Sequence, residues 1–207
     1  MQPFVAFFKR PDAVALLALV FLYKLGDAAA ARLTVTFFVR ALEFNLTEVG
    51  ALYKGLGITA SLVGGILGGA VMMRWGLYRP LVVFALLQGL TNVGFMLLAM
   101  GGKSYVMMVI VVTLENLSGG MGTAALVALL IAICDQRYTA TQFALLSGTA
   151  SLGRVLSGPP AGFFVDAYGW AIFFAATILL VLPSVMLLRY LRGTIDKLDG
   201  LGTTGKS

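Results

Sequence analysis

The sequence predicts an all-α membrane protein with six transmembrane helices. Apolar residues make up 59% of its 207 residues and charged residues only 12%, against roughly 45–50% and ~25% in soluble domains. The apolar residues also form six long runs, and about 20 such residues suffice for a helix to cross a ~30 Å hydrocarbon layer. Short connections that contain glycine, proline or charged residues separate the runs.

The six predicted spans share spanning length and apolar character, and they cover residues 13–39, 46–73, 80–101, 105–134, 139–164 and 170–190. We expect residues 1–12 to be an interfacial segment, with a short helix over Pro3–Phe8 and Lys9 and Arg10 among the headgroups. Residues 13–192 then form one six-helix domain. Residues 193–207 are polar and glycine-rich, which predicts a disordered cytoplasmic tail.

The first apolar run is not interpreted as a cleaved signal peptide. Lys24 and Asp27 interrupt it, and five further spans follow.

Lys and Arg residues outside the spans predict the orientation. With both termini in the cytoplasm, the inner side carries Lys9, Arg10, Arg74, Arg79, Arg137, Arg189, Arg192, Lys197 and Lys206. The outer side then carries Arg40 and Lys103. This asymmetry follows the positive-inside rule and predicts a multi-pass protein with both termini in the cytoplasm.

Composition also excludes several classes of function. Cys134 is the single cysteine and the chain has no histidine, so we expect neither a zinc site nor a Ser-His triad. No nucleophile–base pair is visible, and we therefore expect no enzyme and no cofactor. The net charge of +6 arises mainly from helix ends, which predicts contact with the lipid bilayer and no nucleic-acid partner.

A glycine pattern that occurs twice in the sequence predicts an internal repeat. The second span closes on Gly69-x-x-x-Met73-x-x-Gly76, and the fifth closes on Gly162-x-x-x-Asp166-x-x-Gly169. Two three-helix units of opposite orientation follow, because three spans separate the two patterns. Inverted repeats of this kind build each six-helix half of a major facilitator fold.

Charged side chains near the middle of two spans are the main candidates for function. Lys24 and Asp27 lie three residues apart, on one face of the first span, and Glu115-Asn116 lies in the fourth. At 1.5 Å per residue they stand roughly 15 to 18 Å from the nearer helix ends. They predict a polar substrate site in which a carboxylate accepts and releases a proton. The alternative is a buried Lys24–Asp27 ion pair that serves packing alone.

Further candidates lie on the second and fifth spans. Gln142 and Arg154 accompany Ser147 and Ser151 on the fifth span, where an arginine can bind a substrate carboxylate or reach the headgroups instead. Lys54 poses the same alternative on the second span. Arg32 is interpreted as a snorkelling residue.

Small and helix-breaking residues predict packing and flexibility. Gly64, Gly65, Gly68 and Gly69 form two overlapping Gly-x-x-x-Gly pairs, which favour close helix packing. Glycines after Glu115 and prolines after Arg154 are expected to loosen a helix beside a polar group. These residues are Gly119, Gly120, Gly122, Pro159 and Pro160.

Four stretches carry a resemblance to a known family. Leu22–Asp27, Leu114–Gly122, Tyr138–Leu145 and Gly158–Gly162 resemble the C-terminal half of AmpG-type muropeptide permeases of the major facilitator superfamily. The resemblance implies proton-coupled uptake of anhydromuropeptides for cell-wall recycling, with muropeptide and protons as partners. It also implies that the chain is part of a longer permease and needs a second six-helix half, in the same polypeptide, a separate chain or a second copy.

The superfamily's cytoplasmic gating loop, Gly-x-x-x-Asp-Arg-x-Gly, would fall on Gly69 to Gly76 by this resemblance. Gly69, Arg74 and Gly76 match it, with Arg79 nearby, but Met73 replaces the acid. Two other functions stay open at this stage. One is a related carrier for an acyl-CoA, nucleotide or other polar solute, and the other is a non-transporting subunit whose buried charges specify assembly.

Overall fold

The structure, a computed structural model, describes residues 7–8, 12–135 and 137–203. Its longer helices are α1 (Ala13–Ala41), α2 (Leu46–Trp75), α3 (Tyr78–Gly101), α4 (Tyr105–Ile133), α5 (Thr139–Leu156), α6 (Gly158–Tyr168), α7 (Trp170–Tyr190) and α8 (Arg192–Thr203). The described residues contain no β-strand. The prediction of an all-helical chain is confirmed.

Five helices in the described part of the chain are long and apolar enough to cross a membrane, namely α1, α2, α3, α4 and α7. Their ends agree within two residues with five of the predicted spans. The chain is therefore a multi-pass helical protein. Because the connections between α1, α2, α3 and α4 are only a few residues long, each of these four helices runs antiparallel to the next.

The predicted span 139–164 is not among these five. Here the chain forms two shorter helices that meet at Ser157. Pro159 and Pro160 follow directly, and α5 carries Gln142, Ser147, Ser151 and Arg154. The polar side chains lower the apolar character of this segment, and the prolines start a new helix because they cannot donate to the preceding turn.

Glycine residues end three of the helices. Gly76, Gly102 and Gly169 follow α2, α3 and α6 with φ of 72°, 82° and 81°. This left-handed conformation costs glycine nothing and other residues strain, so the short turns between helices depend on these positions.

Two hydrophobic clusters lie at opposite ends of the bundle. One contains Leu16, Leu81, Leu129 and Leu188 at the end where α1 begins. The other is rich in aromatic rings, such as Phe37, Phe95 and Phe174, at the end where α1 terminates. The charged residues predicted from the sequence lie between the two clusters along α1 and α4.

The tail was expected to be disordered from residue 193, and this is wrong for α8. Ile195 is fully buried in the first cluster, and the Thr194 hydroxyl donates to Asp12 Oδ2 at 2.7 Å. The Leu77 N–H donates to Asp199 Oδ2 at 3.1 Å, in the turn between α2 and α3. These tertiary contacts stabilise a helix whose composition by itself does not predict order.

The predicted interfacial helix over Pro3–Phe8 lies outside the described residues except for its last two positions. Phe7 and Phe8 are helical, and Phe7 is buried in the first cluster. Lys9 and Arg10 also lie outside the described residues.

Candidate functional site

A break in α1 places Lys24 and Asp27. The regular helices Ala13–Tyr23 and Leu25–Thr36 meet at Lys24, whose φ of −105° and ψ of 1° depart from helical geometry. Lys24 Nζ lies 2.7 Å from Asp27 Oδ2, and the two side chains are 13% and 19% exposed. The pair predicted from the sequence is therefore formed, and it is largely buried.

Two further acceptors hold the Lys24 ammonium. It donates to Gln88 Oε1 on α3 at 3.1 Å and to the Gly119 carbonyl on α4 at 3.3 Å. Lys24 thus joins three helices of the bundle through one charged group, which is a stronger constraint than the ion pair alone.

Glu115 lies on α4, with 7% of its surface exposed. The hydroxyl of Tyr53 on α2 donates to Glu115 Oε2 at 3.3 Å. Tyr53 begins a π-helical turn, Tyr53–Gly57, and such turns occur frequently at functional sites because they reorient side chains. Glu115 forms no salt bridge within the described residues.

Asn116 is adjacent and contacts the same helix, α2. Ser61 Oγ lies 3.3 Å from Asn116 Oδ1, and Asn116 Nδ2 donates to the Val112 carbonyl at 2.8 Å. Its amide therefore links α4 to α2 beside the Glu115 carboxyl group.

A cavity of about 780 Å³, here called the central groove, lies beside these residues and is open at the surface of the chain. Its lining comes from α1, α2 and α4 and includes Lys24, Asp27, Ser61, Glu115 and Asn116. The remaining wall is formed largely by small and aliphatic residues. A groove with two carboxyl groups, one ammonium and apolar walls can bind a solute with both polar and apolar parts.

A second cavity, the side cavity, has a volume of about 400 Å³ and is lined from α1, α4 and α5. Arg32, Arg154, Ser147 and Ser151 contribute to it. Lys24 and Asp27 line both cavities and so lie at their boundary. The interpretation of Arg32 as a snorkelling residue did not anticipate that it shares a cavity with Arg154.

Two predicted candidates lie away from both cavities. Gln142 is buried at the start of α5, where its Oε1 accepts from the Asp135 N–H at 2.7 Å. It therefore stabilises the connection between α4 and α5. Lys54 is exposed on the π-helical turn of α2, and it is absent from the lining of both cavities in the described part of the chain.

Several glycines of α2 and α4 allow the two helices to pack closely. An added Cβ at Gly64 or Gly120 would meet a backbone carbonyl of the facing helix, Leu117 or Ser61, and at Gly68 it would lie 2.9 Å from Met121 Cα. The predicted packing role is confirmed for Gly64 and Gly68. An added Cβ at Gly65 or Gly69 would have no neighbour within 4 Å among the described residues.

The expectation that glycines would loosen α4 beside Glu115 is wrong. The helix continues unbroken from Tyr105 to Ile133. Gly120 lets α2 approach, and Gly122 makes room for the side-chain amide of Gln88. The Gly119 carbonyl accepts a hydrogen bond from the Lys24 ammonium.

Most of the predicted gating loop is helical, because Gly69 to Trp75 form the last turns of α2 and only Gly76 lies in the turn between α2 and α3. Gly76 supplies the left-handed residue of this turn, and Arg74 and Arg79 are exposed on either side. Met73, which stands where the family pattern has an acid, is 85% exposed. The carboxylate that contacts this turn comes instead from Asp199 of α8.

Sequence reasoning missed Gln88 and Tyr53. Gln88 was a single amide in an apolar span, and Tyr53 was one aromatic among many. The available signal for Gln88 was its place as one of two amides, with Asn92, on a predicted span without charged residues. No group of three or more His, Cys, Asp or Glu side chains able to hold a metal is present in residues 7–8, 12–135 and 137–203.

Comparison of the sequence with known proteins identifies relatives of this chain. No protein-family model matches the chain. The anhydromuropeptide permease of Escherichia coli is 45% identical over 196 residues, which are 95% of this chain and 40% of that permease. This chain is a homologue of the AmpG anhydromuropeptide permease.

More distant relatives are named as putative transporters. The putative transporter AmpG 4 of Rickettsia conorii is 37% identical over 95% of the chain and 47% of its own length. The putative transporter AmpG 1 of Rickettsia prowazekii is 27% identical over 88% and 41%. The AmpG homologue spans less than half the length of these relatives. They are named as permeases or transporters rather than enzymes, in agreement with the sequence prediction.

Proposed function

We propose that this AmpG homologue supplies one half of a proton-coupled permease that takes up anhydromuropeptides for cell-wall recycling. In this proposal α5 and α6 together form the sixth crossing, and the six crossings form two inverted three-helix repeats. The chain lies in the bacterial inner membrane with both termini in the cytoplasm. The 45% identity to the permease of Escherichia coli supports this assignment.

The observation that carries the proposal is the central groove. Lys24, Asp27 and Glu115 line one cavity of about 780 Å³ midway along helices long enough to span a membrane. Ionisable side chains at this depth are costly in lipid and are characteristic of substrate and proton pathways. In the proposal Glu115, which lacks a salt-bridge partner among the described residues, carries the proton, and Asn116 contacts the solute.

The side cavity suits the anionic part of the solute. Arg32 and Arg154 line it together with Lys24, and a peptide carboxylate is a suitable ligand for arginine because the guanidinium can bind both oxygens. We propose Arg154 as a contact of the solute carboxylate. Lys54 and Gln142, which line neither cavity in the described part of the chain, act outside the solute path.

A second six-helix half would cover the open side of the groove. The chain spans about two fifths of the permease of Escherichia coli, and charged groups open to lipid would be unfavourable without a partner. The second half belongs to the same polypeptide, to a separate chain or to a second copy. Gly76 then lies in a turn at the cytoplasmic side, with Gly69 and Arg74 on α2 and Arg79 on α3, and we propose that these residues take part in gating.

Reconstitution tests the proposal directly. Proteoliposomes that contain this chain, with and without the other half, are supplied with labelled anhydromuropeptide under an imposed pH gradient. Uptake is expected with both halves present and a gradient applied. Uptake that does not respond to the gradient would contradict the proton coupling.

A carboxylate variant locates the proton site. Glu115→Gln is expected to abolish the response to the gradient, because a neutral amide cannot release a proton. Asp166→Asn is the matched control, since Asp166 is exposed on α6 and lines neither cavity. Unchanged coupling in Glu115→Gln would place the proton site elsewhere, and no uptake even with the other half would favour a non-transporting assembly subunit.

A further inference from the structure

Gln88 reaches the ion pair from behind the two cavities. It is 3% exposed on α3, a helix that contributes no residue to the lining of either cavity in the described part of the chain. Its Nε2 donates to the Phe84 carbonyl at 3.2 Å, so its Oε1 faces the Lys24 ammonium at 3.1 Å. The amide occupies space that a side chain at Gly122 would need.

The Lys24 ammonium has three N–H donors, and three acceptors receive them. Two acceptors are neutral and belong to other helices, namely Gln88 Oε1 on α3 and the Gly119 carbonyl on α4. The third is the Asp27 carboxylate, three residues further along α1. Lys24 therefore keeps two fixed neutral acceptors if Asp27 withdraws from it.

We propose that Gln88 is a positioning residue for the transport site. It holds the Lys24 ammonium at the boundary of the two cavities while an anionic group of the solute replaces Asp27 as the counter-ion. The other charged groups that line these cavities are Glu115 in the central groove and Arg32 and Arg154 in the side cavity. The role in solute binding rests on the proposed function, whereas the retention of Lys24 does not.

Neutral acceptors suit this role because they stabilise the Lys24 ammonium without neutralising its charge. A second anion would instead compete with the solute for the ammonium. With no fixed charge on Gln88, Lys24 retains an unpaired positive charge once Asp27 is released. A glutamate at position 88 would neutralise that charge permanently, so Gln88→Glu is expected to weaken solute binding while it still holds Lys24.

The first test measures Lys24 in this chain, in detergent, without transport. Buried and hydrogen-bonded lysine ammonium groups exchange their protons slowly, so a sample with ¹⁵N-labelled lysine gives an NH₃⁺ signal that Lys24→Met identifies by its loss. The signal is expected to survive in Asp27→Asn and to disappear in the double variant Asp27→Asn/Gln88→Leu. Asn92→Leu in the same Asp27→Asn background is the matched control, because Asn92 is 2% exposed one turn further along α3.

Survival of the signal in the double variant, or its equal loss with Asn92→Leu, would overturn the retention of Lys24 by Gln88. Loss of the signal in Asp27→Asn alone would overturn it as well, because Gln88 would then not hold the ammonium without its counter-ion.

The second test measures uptake with the other half present. Gln88→Leu is expected to raise KM about tenfold or more, because the loss of one hydrogen bond to a charged group corresponds to a factor of roughly 10 to 150, with little change in kcat. In a Lys24→Met background the same substitution should leave KM unchanged, because Gln88 acts through Lys24. An unchanged KM for Gln88→Leu in a transporting protein overturns the positioning role. Absence of uptake by the unsubstituted protein rejects the proposed function instead, and the NMR result still decides whether Gln88 holds Lys24.

Discussion

Removal of one partner from the Lys24–Asp27 pair should destabilise the chain, and the two single substitutions should differ. Lys24→Met leaves the Asp27 carboxylate largely buried without its cation. Asp27→Asn leaves the Lys24 ammonium, but Gln88 and the Gly119 carbonyl still accept from it. Lys24→Met is therefore expected to be the more damaging change.

The magnitude follows from burial. Leaving one charge of a buried pair without its partner costs roughly 3–5 kcal/mol. Because these side chains retain 13% and 19% of their exposure, we expect the lower end, about 3 kcal/mol, for Lys24→Met. Two remaining acceptors reduce the cost for Asp27→Asn to about 2 kcal/mol. The double variant Lys24→Met/Asp27→Asn buries no charge at this position and should lie within about 1 kcal/mol of the unsubstituted chain.

Thermal unfolding in detergent micelles measures these differences. For a chain of this length about 1 kcal/mol shifts Tm by roughly 2–4 °C, so Lys24→Met should lower Tm by about 6–12 °C and Asp27→Asn by about 4–8 °C. A double variant whose loss equals the sum of the single losses would show that the two charges are not coupled. A larger loss for Asp27→Asn than for Lys24→Met would refute the role of the two neutral acceptors.

Two further substitutions test the packing of α2 against α4 and the docking of α8 against the turn between α2 and α3. Gly64→Ala should destabilise the chain by about 2 kcal/mol or more, since its Cβ would meet the Leu117 carbonyl. Gly148→Ala should instead stabilise the chain by up to about 1 kcal/mol, because an added Cβ there has no described neighbour within 4 Å. Equal Tm values for the two variants would contradict the close approach of α2 and α4. Asp199→Asn should cost about 1 kcal/mol and speed amide exchange at the turn between α2 and α3, because the charged acceptor of the Leu77 N–H is lost. The same exchange should be unaffected by Asp196→Asn, whose carboxylate forms an exposed ion pair with Arg192. An equal response to both substitutions would argue against the contact between Asp199 and Leu77.

The sequence was sufficient to predict the helical spans that depend only on interactions within their own segment. A run of apolar residues must satisfy its backbone hydrogen bonds internally in a bilayer, so the length of the run predicts the helix and its ends. Five predicted spans agree with the structure for this reason. The fifth run failed because Gln142, Arg154 and Pro159–Pro160 make it both polar and broken, and composition averaged over 26 residues hid the break at Ser157.

The sequence also identified the Lys24–Asp27 pair, because side chains three positions apart on one helix lie close together whatever the helix packs against. It indicated Glu115 and Asn116 because burying a charged or polar side chain inside an apolar span costs free energy. It could not assign Gln142 to a helix connection, or separate Lys54 from the residues that line a cavity. Those distinctions depend on which face of a helix meets which neighbour.

By itself, then, the sequence determined that the chain is a membrane protein and where charge is buried in it. The tertiary structure decided that Gln88 and Gly119 hold Lys24, that Tyr53 faces Glu115, and that α8 docks beneath the α2–α3 turn. Each of these contacts joins residues 60 or more positions apart. A contact of this kind arises from how helices pack against one another, and the local periodicity of the sequence carries no information about that packing.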